Sequence, residues 1–125
     1  MKPPGKILII DDDNRNIFAL KAVLKAKGFD CITATGAVDG IDLLSTDQEI
    51  KAVLMDMMMP EMDGYEAIEK IKGDQRIKGV PLIAVTAQAM AGDREKCLEA
   101  GADDYISKPI NVDQLLSVLE KHANR

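Results

Sequence analysis

Three short apolar runs of this 125-residue chain each lead directly into a chemically capable side chain. Ile7-Leu8-Ile9-Ile10 leads into Asp11-Asp12-Asp13, Ala52-Val53-Leu54-Met55 into Asp56, and Leu82-Ile83-Ala84-Val85 into Thr86; Lys108-Pro109 follows a last short strand-like segment. Carboxylates brought within about 4 Å of one another repel by roughly 4 kcal/mol at an effective dielectric near 20, so such a cluster needs a proton or a cation. Mg²⁺ suits the place, because it takes few carboxylates, keeps waters and favours a phosphate as a further ligand. A carboxylate can also be the nucleophile, accepting a phosphoryl group as an acyl phosphate, and positioning with charge neutralisation then supplies most of the catalysis. These residues predict a divalent-cation and phosphoryl site.

That prediction holds only if the elements converge. Near-continuous apolar runs bounded by turn signals read as strands buried on both faces of a parallel sheet, and open sheets of that kind keep their sites beyond the carboxyl ends of the strands. Strands are expected at 6–10, 30–34, 51–56, 81–86 and 103–107. Helices fall between them: Asn14 to Lys27, with Ile17, Leu20 and Leu24 on one face; Ala37 to Leu44; Gly64 to Lys72; 91–100, closed by Gly101; and a last helix opened by Asn111 or its neighbour, with Val112, Leu115, Leu116 and Leu119 as its stripe. Alternation of this kind implies right-handed βαβ units. The chain reads as one α/β domain of (βα)5 type spanning 6–122, with a mobile arm at 1–5 and a tail at 123–125.

Each residue also has a plainer role. Asp13, or Asn14 beside it, suffices as a helix cap. Asp56 alone would be a turn residue, Thr86 alone structural, and Lys108 alone a solvated charge. The Lys108–Pro109 bond is a candidate cis peptide. Tyr105 either packs against the sheet edge or acts as a movable ring. His122, the sole histidine, reads as solvated or facing the helix dipole, and the methionines at 57–59 and 62 as core filler or flexible surface.

Composition narrows the classes. Hydrophobic content of 46% with 30% charged residues suits an ordinary globular protein. A net charge of −5, two Phe, two Tyr and no Trp argue against a nucleic-acid surface. No membrane-length apolar stretch or signal peptide is evident. Cys31 and Cys97 lack metal-ligand spacing and read as reduced thiols, which implies a cytoplasmic setting.

Together, Ile9-Ile10-Asp11-Asp12, Val53-Leu54-Met55-Asp56, Met59-Pro60 to Asp63-Gly64, Val85-Thr86-Ala87, Gly101-Ala102 and Lys108-Pro109 resemble the receiver domain of two-component response regulators across residues 6–122. The resemblance implies a doubly wound, flavodoxin-like, five-stranded parallel sheet of order 2-1-3-4-5. It implies that Asp56 is the phosphoacceptor and that Asp12, Asp56 and the backbone carbonyl of Met58 bind Mg²⁺, with Asp11 acting through water. Thr86 would bond the phosphoryl group, Lys108 would pair with it, and Tyr105 would turn inward as Thr86 moves. The switched surface would be that of the fourth helix, fifth strand and fifth helix. Partners would be a histidine kinase or a histidine phosphotransfer protein, with no direct nucleic-acid or membrane contact, and the domain a monomer or weak dimer. Its only catalysis would be its own phosphorylation and slow self-dephosphorylation. Met58 and Gln88, two residues beyond Asp56 and Thr86, suggest slow to intermediate hydrolysis. The wording of 13–20 and 92–101 is similar to receivers of hybrid sensor kinases, so either a stand-alone regulator or a hybrid-kinase receiver is expected.

Rival readings fit less well. A haloacid-dehalogenase-type phosphatase needs a second acid two residues beyond its nucleophile, where Asp56 is followed by Met58. A receiver-like binding scaffold would not need the intact set of Asp11, Asp12, Asp56, Thr86 and Lys108. A flavin-binding flavodoxin lacks its hydroxyl-rich phosphate loop here.

Overall fold

The computed structural model describes residues 5–57, 64–77, 79–86 and 92–123. Five strands, β1 (Lys6–Ile10), β2 (Asp30–Ala34), β3 (Ile50–Asp56), β4 (Leu82–Thr86) and β5 (Asp104–Ser107), alternate with α1 (Asn14–Ala26), α2 (Ala37–Thr46), α3 (Gly64–Gly73), α4 (Asp93–Ala100) and α5 (Val112–Ala123). All pairings are parallel, and the strand order is β2-β1-β3-β4-β5. The anticipated α/β architecture and order are therefore the observed ones. Element ends agree with the expected bounds to within two residues, and those of β1 and β2 match them. Of the expected arm only Gly5 is described, and of the expected tail only Ala123, which is still helical.

The apolar runs become strands because both their faces are covered. Leu8, Ile10, Val53, Met55, Leu82 and Ala84 face one core, completed by Leu44 from α2, by Ala67, Ile68 and Ile71 from α3 and by Cys97 from α4. Ile7, Ile9, Ala52, Leu54, Ile83, Val85 and Ile106 face a second core, completed by Ile17 and Leu24 from α1 and Leu115 and Leu119 from α5. Burying one such side chain stabilises by about 1.5–3 kcal/mol, which outweighs the weak intrinsic preferences of short segments. Gly40 lets α2 lie directly on β1, since a Cβ there would sit 2.4 Å from Ile10 Cδ1.

Caps fix the helix ends. Asp13 accepts the Arg15 N–H at 2.9 Å and caps α1. Asn111 accepts the Gln114 N–H at 3.0 Å and opens α5. Gly101, with φ of 124°, closes α4 as the Ala102 N–H reaches the Cys97 carbonyl at 3.0 Å. Val112, expected in the buried stripe of α5, is instead 39% exposed, because it belongs to the first turn, where the helix has only begun to approach the sheet.

The base of the sheet departs from simple alternation in two places. The register between β1 and β3 slips between Lys6 and Ile7, which pair with Ile50 and Ala52, so Lys51 is an extra residue in a bulge. His122 is not solvated: it is only 7% exposed, and its Nε2 lies 2.9 Å from Asp104 Oδ2 on β5. The physical reason is periodicity, since His122 follows Leu115 and Leu119 on the same face of α5.

Candidate functional site

Strand register assembles the site. Ile10 pairs with Met55, so Asp11 emerges beside Asp56. Asp56 pairs with Val85 and Thr86 with Ser107, so Thr86 and Lys108 complete the same rim from β4 and the end of β5. Backbone bonds hold these exits together: the Asp11 N–H donates to the Ala34 carbonyl at 3.1 Å, and the Lys108 N–H donates to the Thr86 carbonyl at 2.7 Å. The Lys108–Pro109 peptide, a candidate cis bond from the sequence, is cis.

Carboxylate oxygens of Asp11, Asp12 and Asp56 all lie within 4.8 Å of one another. Asp11 and Asp56 are buried, as is Thr86, while Asp12 is exposed. The Lys108 Nζ stands 3.6 Å from Asp56 Oδ2 and 4.0 Å from Asp11 Oδ2. One ammonium thus faces two buried acids. Asp11 is held above the usual carboxylate range, first by burial and then by the Asp56 charge; the Asp13 N–H, at 2.8 Å from Asp11 Oδ1, and Lys108 pull the other way. Excess negative charge with a solvent-facing third acid is a donor set fitted to a hard divalent cation.

Beside this rim, a cleft of about 280 Å³ runs between α1 and α5. Asp11 and Lys108 stand in its wall, with Leu20, Val23, Ile110 and Leu115 supplying apolar surface. Phe18 on α1 is 77% exposed.

Asp11, Asp12, Asp56, Thr86 and Lys108 are thus where the sequence puts them. Tyr105 is half-buried and packs against the core that contains Ala84 and Cys97. Met57 packs against that same core. Met58, named as a metal-ligating carbonyl, lies outside the described residues, as do Gln88, Ala87 and the stretch from Met59 to Asp63. Sequence reasoning missed the Asp104–His122 pair, although the i, i+4, i+7 spacing of Leu115, Leu119 and His122 marks that histidine as inward-facing.

The response regulator receiver domain family model matches residues 7–120. The chain is 34% identical to Histidine kinase 3 of Arabidopsis thaliana, over 95% of this chain but only 13% of that protein. It is 31% identical to the polar-differentiation response regulator DivK of Brucella anthropi, over 95% of this chain and 96% of that one. Among solved structures it resembles the receiver domain of the sensor histidine kinase PA1611 from Pseudomonas aeruginosa, with 31% identity, a TM-score of 0.87, and 98% and 100% of the two chains covered. That structure has a magnesium ion coordinated in its active site cleft.

Proposed function

The chain belongs to the response regulator receiver domain family of two-component signalling, and on that premise we propose that Asp56 accepts a phosphoryl group from a phosphohistidine. The observation that carries this reading is the buried Asp56 carboxylate, set among Asp11, Asp12 and Lys108 on one rim. An Asp56 oxygen bonds to phosphorus as the donor's N–P bond breaks, its electron pair returning to the donor imidazole. Lys108 offsets charge on the phosphoryl oxygens, and the Thr86 hydroxyl donates to one of them.

Asp12, Asp56 and the Met58 carbonyl, with Asp11 beside them, would hold Mg²⁺; the magnesium in the PA1611 receiver supports this assignment. When bound, the ion neutralises the charge that clustered carboxylates and a phosphate bring together. The donor is a histidine kinase or a histidine phosphotransfer protein. The cleft between α1 and α5 gives it an apolar approach that opens onto Asp11 and Lys108.

Phosphorylation adds nearly two negative charges at the rim. It draws Thr86 and Lys108 inward, makes room for Tyr105, and shifts the population of the surface formed by α4, β5 and α5. A protein partner reads that surface; nucleic acid and membrane are not contacted directly. Similarity both to the whole of DivK and to a short part of Histidine kinase 3 keeps a stand-alone regulator and a hybrid-kinase receiver as the two settings. Either setting is cytoplasmic, with residues 6–122 as the functional unit in a monomer or weak dimer. No described helix is long and apolar enough to cross a membrane.

Incubation with acetyl phosphate and Mg²⁺, followed by intact mass, tests the reading. A single phosphoryl adduct that needs Mg²⁺ and is lost in Asp56→Asn supports it. No adduct from acetyl phosphate or from a phosphorylated histidine phosphotransfer protein overturns it in favour of a binding scaffold.

A further inference from the structure

Helix α1 has a cleft on each flank. The one towards α5 opens onto the rim. The other, of about 370 Å³, lies towards β2 and is walled by Lys6, Lys21, Lys25, Phe29, Cys31 and Ile32, with Asp30 its one acidic residue among those described. Charge here runs against the composition. The chain has a net charge of −5, yet residues 14–29 hold Arg15, Lys21, Lys25 and Lys27 and no acid. Phe18, Lys21 and Lys25 are spaced i, i+3 and i+7, so they form one stripe along the helix. All three are exposed, Phe18 at 77%. Lys6 is paired with Asp47, whereas Lys21 and Lys25 make no ion pair among the described residues.

The strand beside that stripe supplies the second observation. β2 ends the sheet and, among the described residues, pairs only with β1. The Ala34 carbonyl accepts the Asp11 N–H at 3.1 Å, so Ala34 turns its backbone groups towards β1. Alternation turns those of Ile32 and Asp30 the same way and those of Cys31 and Thr33 outward. Two N–H donors and two carbonyl acceptors thus face away from the sheet, and no described residue bonds to them. β2 is also open to solvent, with Asp30 exposed and Cys31, Ile32 and Thr33 only half-buried. Such an edge is a template for another strand, and the charge beside it selects which strand. Lysines repel a basic strand and would be desolvated without compensation by an apolar one. A second copy of this chain is a poor occupant as well. Antiparallel pairing of two β2 edges about a two-fold axis keeps both α1 helices on one side of the joined sheet, basic stripe against basic stripe.

We propose that the β2 edge binds an extended acidic segment of a partner protein, which adds as a sixth strand and sets its carboxylates against Lys21 and Lys25. Every second side chain of such a segment faces α1, so the pattern recognised is an acid at alternate positions. Phe18, at the rim end of the stripe, offers an apolar contact to one end of the segment. This surface is separate from the acidic rim and from the face formed by α4, β5 and α5, so its occupancy needs no phosphoryl group.

The test uses the full unphosphorylated chain without Mg²⁺ and two end-blocked octapeptides, one alternating Glu with Thr and one alternating Lys with Thr. In ¹H–¹⁵N spectra the Glu peptide should move the Cys31 and Thr33 amides saturably and slow their hydrogen exchange. The Lys peptide should bind about tenfold more weakly or worse, as should the Glu peptide to a Lys21→Glu, Lys25→Glu double variant. Lys21→Arg with Lys25→Arg should keep the Glu peptide within a few-fold. Thr33→Pro removes one outward donor without touching a bond between β1 and β2, and should weaken binding too. Amide spectra of each variant confirm that it folds, and the two lysine pairs decide the matter if Thr33→Pro does not. No saturable movement, equal binding of the two peptides, equal affinity in the Lys21→Glu, Lys25→Glu variant, or shifts confined to the rim or to α4, β5 and α5 would each overturn the proposal.

Discussion

The two ends of the sheet handle charge in opposite ways. At the base, the N-terminal end of the strands, the described residues close three acid–base pairs. Lys6 meets Asp47 at 2.8 Å, Lys72 meets Asp103 at 2.6 Å, and His122 meets Asp104 at 2.9 Å. At the rim, carboxylates of Asp11, Asp12 and Asp56 cluster, and Lys108 approaches Asp56 at 3.6 Å and Asp11 at 4.0 Å. Hydrogen bonds at the base join elements: Asp103 also accepts the Leu82 N–H at 2.8 Å, and Lys72 also donates to the Val80 carbonyl at 3.0 Å, so one cluster links α3, β4 and the entry to β5. The rim instead holds like charges side by side. Cohesion is concentrated at the base, and a charge imbalance fitted to a divalent cation is kept at the rim.

The largest effect that would sharpen this contrast comes from Asp56→Asn. Phosphoryl transfer should be lost entirely, yet the thermal midpoint should rise by roughly 3–5 °C, because one repelling charge leaves the rim. A fall in the midpoint would mean that the rim is cohesive after all. Asp103→Ala should do the reverse, lowering unfolding free energy by about 2–3 kcal/mol in urea titrations and leaving the Asp56 adduct intact, since Lys72 and the Leu82 N–H both lose a partner. Mg²⁺ at tenfold its dissociation constant should stabilise the wild type by about 1.4 kcal/mol, and this gain should vanish in Asp12→Asn. A calorimetric scan with and without the ion decides it.

Acid provides the smallest and most direct comparison. Asp11 sits above the usual carboxylate range, chiefly through burial and the Asp56 charge. Its contribution to stability is therefore fully present below the unfolded-state value and is lost as pH rises through its folded value. For Asp104, burial opposes ionisation, but the His122 bond, the Tyr105 N–H and the charges of His122 and Lys121 outweigh it and hold the group below its ordinary value. Its contribution is present above the unfolded-state value and is lost as pH falls through the folded one. Stability profiles between about pH 2 and 6 should thus flatten at the low end in Asp104→Asn and lose their acid-side gain in Asp11→Asn. Carboxyl ¹³C titrations would show shifts of opposite sign.

How much of the molecule was legible depended on sequence distance. Strands were plain because burial on both faces leaves unbroken apolar runs such as Ile7 to Ile10. The rim was legible because Asp11, Asp56 and Thr86 each directly follow such a run, while Lys108 follows the shorter, more polar Asp104–Ser107; strand order and register did the rest. The base was not. Lys72 and Asp103 are 31 positions apart and Asp104 and His122 18 apart, and no local pattern joins them. The bulge at Lys51 left no mark either, since Ile50-Lys51-Ala52 reads as ordinary alternation. His122 was the one basal residue with a usable signal, and treating it as a helix-end charge concealed that.

The sheet also acts as a septum. Because every interior strand sends alternate side chains to two separate apolar clusters, a packing change on one side has no shared neighbour on the other. Free-energy changes from, for example, Ile68→Val under α3 and Leu119→Ala under α5 should sum to within about 0.3–0.5 kcal/mol in the double variant. Substitutions can then accumulate beneath α2, α3 and α4 with little epistasis towards the face that α1 and α5 cover. The two half-cores are free to drift at their own pace.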